Sequence, residues 1–250
     1  MNNLYVYLPC YNEEKNIALL IDEWIIERER LLNEGYYLKV KAIDDASTDG
    51  TLEVIRRKCS SDAGISCISH SENKNLGGVL MTAISDFLAH AQGNDLMCFM
   101  DGDNTHKPEF ACDLINTLKG ETACAIASRY QPGAKIFGLS KRREVFSVFA
   151  RIYYTAILHV PGVRDYTCGY RIYTRAALQA GVDKYGERFV ERNTFACMME
   201  VLYKLYRCGC VFSEVPFILY YNDKEGKSKM NVWKTTRDSL VTALQLRMGE

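Results

Sequence analysis

Short apolar runs alternate with longer amphipathic stretches through the first two-thirds of the chain, and this rhythm constrains the fold more than any other feature. "LYVYLP", "YYLKVKAID", "GISCIS", "DLMCFMD" and "ACAIASR" have the composition of strands. Between them lie helix-like segments. In "NEEKNIALLIDEWIIERERLL", Ile17, Leu20, Ile21, Trp24, Ile25 and Leu31 fall on one helical face, with Asn12 expected as N-cap. "TLEVIRRKC", "LGGVLMTAISDFLAHA" and "PEFACDLINTLK" follow the same pattern. Strand alternating with helix requires crossover connections, so the chain is predicted to be α/β: a Rossmann-like, mainly parallel sheet flanked by helices. Such sheets bind ligands beyond the carboxyl ends of their strands. Polar residues gather there: Tyr11 and Glu13 after the first run, Asp44 and Asp45 after the second, Asp101 and Asp103 after "DLMCFM". One cleft is predicted.

The remainder is less regular. Residues 140–160 read as a helix with a basic start and an apolar body, and 195–209 as a helix stopped by Gly209. "CVFSEVPFILYY" reads as a strand pair interrupted at Pro216, and "NDKEGKSKM" as a charged loop. With 250 residues, no repeat and no linker, we expect one domain over 1–229 and an amphipathic extension over 230–250. Formal net charge is zero, which gives no electrostatic case for nucleic acid as a partner. The ten cysteines form no CxxC pair and sit largely in apolar runs, as buried thiols in a reducing compartment would. The N-terminus lacks a basic leader, and no run reaches the ~18 apolar residues of a spanning helix. The expectation is a cytoplasmic or membrane-peripheral protein.

Asp101 and Asp103 are spaced to hold a hard divalent cation, Mg²⁺ or Mn²⁺, through one or two carboxylates plus substrate phosphates. Asp-Gly-Asp-Asn is equally good turn chemistry. "IDDASTDGT" places three acids around a small-residue turn, serving a nucleoside, the turn, or both. The glycines of "NKNLGGVLMTAI" either bring a helix N-terminus to a phosphate or allow close helix packing. Arg129, Lys135, Lys141, Arg142, Arg143, Arg171, Lys227 and Lys229 form a later basic set, suited to a phosphate substrate or to a solvated surface.

In order, "LPCYNEEKNI", "IDDASTDGT", "NKNLGGVLMTAI", "MDGDNTHKPE", "ASRY", "RDYTCGYRIYTRAAL", "MMEVLYKLYRCGCVFSEVPF" and "GKSK" resemble the family 2 glycosyltransferases of the GT-A fold, especially those acting on dolichyl or polyprenyl phosphate. The resemblance runs from residue 8 to about 230. It implies that Pro9, Tyr11, Glu13, Ile43 and Asp45 line the base and ribose of a GDP- or UDP-sugar. It implies that Asp101 and Asp103, with Gly102 close by, hold Mg²⁺ or Mn²⁺ against the diphosphate. Arg129, Arg143 and Ser147 would meet phosphates of donor or acceptor, and Lys229 would clamp the diphosphate. Thr105 takes the place of a further metal ligand that is often Gln in the family, where its hydroxyl would ligate weakly or give way to water, and Asp223 stands where Arg is common. Inverting transfer of mannose or glucose to a polyprenyl phosphate at the membrane surface is the implied activity. The alternatives are a soluble or glycan acceptor, and nucleotide-sugar binding without turnover.

Overall fold

The computed structural model describes residues 1–138, 141–220 and 232–249, with the backbone alone for 141–145 and 232–234. A buried strand, β1 (Asn2–Cys10), lies third in the seven-stranded sheet, beside its central strand. β2 (Tyr36–Asp44) runs parallel to it with Pro9 opposite Ile43, and β3 (Ile65–Ser69) extends that side. The chain then crosses to the other side of β1 and lays down β4 (Leu96–Phe99), also parallel. Next come β5 (Thr122–Ser128), β7 (Arg171–Thr174) and β8 (Val211–Pro216), giving the order β3-β2-β1-β4-β7-β5-β8. β7 is antiparallel to β4 and β5, while β8 is parallel to β5. The short β6 (Lys135–Phe137) and β9 (Ile218–Tyr220) pair in parallel apart from this sheet.

β7 has no counterpart in the strand pattern read from the sequence. It is only four residues long and opens on Arg171, a charge that argues against a central strand. The fold accommodates that charge by burying Arg171 completely and letting it donate to two carbonyls, Met198 O at 2.6 Å and Tyr166 O at 2.8 Å. Arg171 is therefore a structural clamp and not part of a phosphate-facing basic set.

The first helical segment also departs from expectation. It splits at Glu27 into α1 (Ile17–Ile26) and α2 (Arg28–Asn33), with Ile17, Leu20, Ile21 and Trp24 buried. Asn12 does not cap it. Asn12 sits at φ 55°, a left-handed position that Asn tolerates, and its carboxamide oxygen accepts from Thr48 N at 2.7 Å. It ties the loop after β1 to the loop after β2.

The other helices follow the predicted rhythm: α3 (Thr51–Ser61), α4 (Asn75–His90) and α5 (Ala111–Thr117), the last preceded by a 3₁₀ turn at Pro108–Phe110. A Cβ on Gly77 would lie 2.0 Å from the Arg192 carbonyl, so this glycine serves close packing of α4. α6 (Lys141–Leu158), α7 (Arg175–Tyr185), α8 (Ala196–Tyr206) and α9 (Val232–Met248) complete the fold. α8 is buried from Ala196 to Leu205, including Glu200 and Lys204, which pair at 2.8 Å. α9 docks on the domain, burying Ser239, Thr242, Ala243 and Leu246, and Tyr153 of α6 donates to its Leu240 carbonyl. All ten cysteines are free thiols, and burial pushes Cys124 and Cys168 up to about 12. Among the described residues, no helix is long and apolar enough to cross a membrane.

Candidate active site

β1 is flanked by β2 on one side and β4 on the other, so connections leave it in both directions. Loops splay apart at such a switch point and leave a crevice beyond the carboxyl ends. The polar residues singled out in the sequence occupy these ends: Tyr11 and Glu13 after β1, Asp45 after β2, Asp101 and Asp103 after β4, and Arg129 after β5.

The β4 end is wedged against its neighbours. A Cβ on Gly102 would lie 2.4 Å from the Pro9 carbonyl, and one on Gly169 would lie 2.7 Å from Asp101 Oδ1. Only glycine lets both backbones approach this closely. Asp101 thus stands between the end of β1 and the loop 165–169. The turn reading of "DGDNT" holds as well. Asn104 sits at φ 62°, and Asp103 Oδ1 accepts from Thr105 N at 3.2 Å and Thr105 Oγ1 at 2.7 Å. The Thr105 hydroxyl therefore points at Asp103, and Tyr220 N donates to the Thr105 carbonyl at 3.2 Å. Thr105 thus orients the Asp103 carboxylate from two residues away.

Sequence reading missed His106. It is buried, its Nδ1 has no hydrogen-bond partner and lies 3.8 Å from Asp101 Oδ2, and its ring packs against Tyr170 and Phe217. Burial pushes the imidazole down to about 4, with Asp103 opposing the shift, so the ring is neutral near pH 7.

Arg129 is held by a second residue that sequence reading passed over. Asp165 is fully buried and accepts from Arg129 Nε at 2.7 Å and Nη2 at 2.6 Å, while Nη2 also donates to Thr167 Oγ1. Burial penalises the guanidinium, but Asp165 beside it more than offsets this and holds its pKa well above the ordinary value. Asp165 is positioned in turn by Glu214, which accepts from the amides of Arg164 and Asp165 at 2.7 and 2.6 Å. Tyr130 stacks beside Arg129 and hydrogen-bonds Ser147 on α6, so Ser147 already has a partner.

On the β2 side, Asp45 is buried: its Oδ1 meets His70 Nδ1 at 2.7 Å and Lys74 N at 2.8 Å, and its amide donates to Cys10 O. Glu13 is buried, accepting from Asn16 Nδ2 at 2.7 Å, and Pro9 is half-buried. Tyr11 is exposed. The Ile43 side chain is wholly buried in the core, so only its backbone is available to a nucleoside at the end of β2. Of Arg143 only the backbone is described; Lys229, Lys227 and Asp223, with the boundary at 229/230, lie outside the described residues.

Asp101 and Asp103 are oxygen donors at the mouth of the crevice, and no group of three His, Cys, Asp or Glu side chains among the described residues forms a metal cage. That donor set fits a hard cation sharing its coordination with water and phosphate oxygens. It does not fit a structural zinc site.

Comparison with known proteins agrees with this geometry. Polyprenol monophosphomannose synthase of Mycolicibacterium smegmatis is 28% identical over 227 residues, covering 90% of this chain and 80% of that protein. Undecaprenyl-phosphate mannosyltransferase of Micrococcus luteus is 26% identical over 224 residues, covering 90% and 86%. Among solved structures, glucosyl-3-phosphoglycerate synthase from Mycobacterium tuberculosis, in complex with Mn²⁺ and UDP-glucose, superposes with a TM-score of 0.66. It is 18% identical and covers 99% of this chain and 79% of that one. At that identity the likeness bears on the fold, which is GT-A as expected, in a single domain. The family model for glycosyl transferase family 2 matches residues 5–181, and with the site at the carboxyl ends of β1, β2 and β4, the chain belongs to the family 2 glycosyltransferases.

Proposed function

We propose that this glycosyltransferase moves a hexose, mannose foremost and glucose next, from a nucleotide sugar to a polyprenyl phosphate at a membrane surface. The observation that carries the reading is the paired carboxylates of Asp101 and Asp103, wedged by Gly102 and Gly169 at the switch point, in a chain whose relatives are named for polyprenol and undecaprenyl phosphate. A Mg²⁺ or Mn²⁺ ion bound there would neutralise charge on the departing nucleoside diphosphate. Asp101 and Asp103 would hold it, with Thr105 fixing the Asp103 carboxylate. Asp45, Glu13, Tyr11 and Pro9 border the nucleoside end of the crevice. Arg129 is tethered to Asp165 and works as an oriented donor in a nearly neutral pair, with Lys229 and Arg143 as the further cations.

The acceptor phosphate is ionised at neutral pH and needs orientation more than a general base. Direct displacement then inverts the anomeric carbon. The test incubates the protein and Mn²⁺ with labelled GDP-mannose or UDP-glucose and a short-chain polyprenyl phosphate. Label in the organic phase, as the inverted anomer, is expected. Donor hydrolysis or label only in water-soluble glycan would overturn the lipid acceptor. Asp103→Ala should abolish Mn²⁺-dependent binding of the nucleoside diphosphate; unchanged calorimetric affinity would remove the carboxylate from the metal site.

A further inference from the structure

Thr105 fixes the carboxylate of Asp103, and the residue placed to do the same for Asp101 is His106. His106 is only 5% exposed, and its ring packs against Tyr170 and Phe217, with centroids 5.9 and 5.4 Å away. Neither ring offers it a hydrogen bond: Tyr170 donates its hydroxyl to Pro108 O, and Phe217 has none to give. Two polar groups lie at the imidazole nitrogens. Cys168 Sγ is 4.0 Å from Nε2, and Asp101 Oδ2 is 3.8 Å from Nδ1. Nδ1 is out of water and has no hydrogen-bond partner. A buried polar atom in that state is uncommon and calls for an explanation.

With one proton on the ring, its neighbours decide which nitrogen holds it. Burial pushes the Cys168 thiol up to about 12, so it keeps its hydrogen and meets Nε2 as a donor. Nε2 therefore accepts, and the ring proton is left on Nδ1. There the N–H dipole faces a carboxylate and is attracted, whereas a lone pair would be repelled. Cys168 is itself held in place, because Asp165 Oδ1 accepts from its amide at 3.1 Å. Asp101 is confined from the other side, where a Cβ on Gly169 would lie 2.7 Å from Oδ1. The terminal torsion of an Asp side chain is broad, so a small turn of the carboxylate brings Oδ2 within hydrogen-bond reach of Nδ1. Carboxylates that ligate metals are commonly oriented by such an outer hydrogen bond.

We propose that His106 is the positioning residue of Asp101: its Nδ1–H donates to Oδ2 and fixes the carboxylate in the orientation that receives the divalent cation. The proposal rests on the metal reading of Asp101 and Asp103 given above. It assigns the ring a task other than direct ligation, and it gives each acid of the pair its own donor, Thr105 for Asp103 and His106 for Asp101.

Two measurements on the full chain test this. The first needs no metal. In protein labelled with ¹⁵N-histidine, the His106 signals, assigned through ring contacts with Tyr170 and Phe217, should report the Nδ1–H tautomer near neutral pH. The Nε2–H tautomer would overturn the proposal. The second is Mn²⁺ affinity, read by electron paramagnetic resonance with GDP or UDP present. An Asn amide nitrogen takes the place of Nδ1, and a Gln amide nitrogen that of Nε2. His106→Gln should therefore weaken Mn²⁺ binding about tenfold or more, while His106→Asn stays within about threefold of the parent. A ring that served packing alone would cost affinity equally in both variants or in neither, and either result would overturn the positioning role. So would nitrogen coupling from a ligated imidazole in the electron spin echo of bound Mn²⁺, because His106 would then be a ligand itself. The two readings fail separately. A parent that shows the Nδ1–H tautomer but binds no Mn²⁺ refutes the metal reading, while the hydrogen bond from His106 to Asp101 stands. A parent that binds Mn²⁺, with both variants matching it, refutes the positioning role and leaves the metal reading in place.

Discussion

Asp165 carries more of the site than its place in "RDYTCGY" announces. It has no exposure, and it holds Arg129 through two guanidinium nitrogens and a backbone amide. Burial alone would raise its pKa, but Arg129 and its hydrogen bonds outweigh that and hold the carboxyl below the usual carboxylate value of 3.8. A folded-state pKa below the unfolded one means the stabilisation is fully present above the unfolded value and is lost as pH falls through the folded one. Asp165→Asn keeps the shape, removes the charge and leaves Arg129 buried without its counter-ion. Breaking a buried pair from one side costs about 3–5 kcal/mol. The urea midpoint of the variant should fall accordingly at pH 7, and its stability should decline less steeply than the parent's below about pH 4. A parallel decline in both proteins would show that Asp165 does not carry this acid sensitivity. Asp101, Asp103 and Asp45 could be found from sequence because each follows a strand run directly. Asp165, His70 and His106 could not. Each acts through tertiary contacts, such as His70 on Asp45 across 25 residues, that leave no local periodicity.

The elements divide in the same way. β1, β2 and β4 are apolar runs with acids or turn residues at their ends, and alternation with helices makes them legible. β7 is not, because its strand character comes from neighbours on both sides and its first residue is a cation. The break between α1 and α2 at Glu27 is equally silent, since both pieces share one apolar face. Arg171 tests the account of β7. Its Nη1 and Nη2 satisfy the Met198 and Tyr166 carbonyls, joining β7 to α8 and to the loop that carries Asp165. Arg171→Met is similar in length but leaves both carbonyls without these donors, at about 1–3 kcal/mol each. We expect a lower melting temperature and, because the 165–169 loop borders Asp101, weaker Mn²⁺-dependent nucleotide binding. Wild-type stability in this variant would mean that the guanidinium is dispensable to the strand.

At the scale of the whole molecule, one sheet serves two halves. β1 and β2 present the residues proposed for the nucleoside, β4 presents the acids, and the strands beyond supply Arg129 and the loop that wedges Asp101. α9 closes the second half from outside by packing on α6 and α8, so the amphipathic tail seen in the sequence is also a piece of the fold. Removing residues 232–250 would strip cover from α8 and from Tyr153 and Tyr154 of α6. The inner face of α9 includes Leu246 and Ala243, and full burial of a leucine-sized side chain contributes about 1.5–3 kcal/mol. The full chain should unfold in one cooperative transition, as a single domain does. The shortened chain should also unfold in one transition, but at a lower urea concentration and with a smaller m-value, since less surface is exposed on unfolding. An unchanged midpoint would show that α9 adds nothing measurable to the stability of the domain.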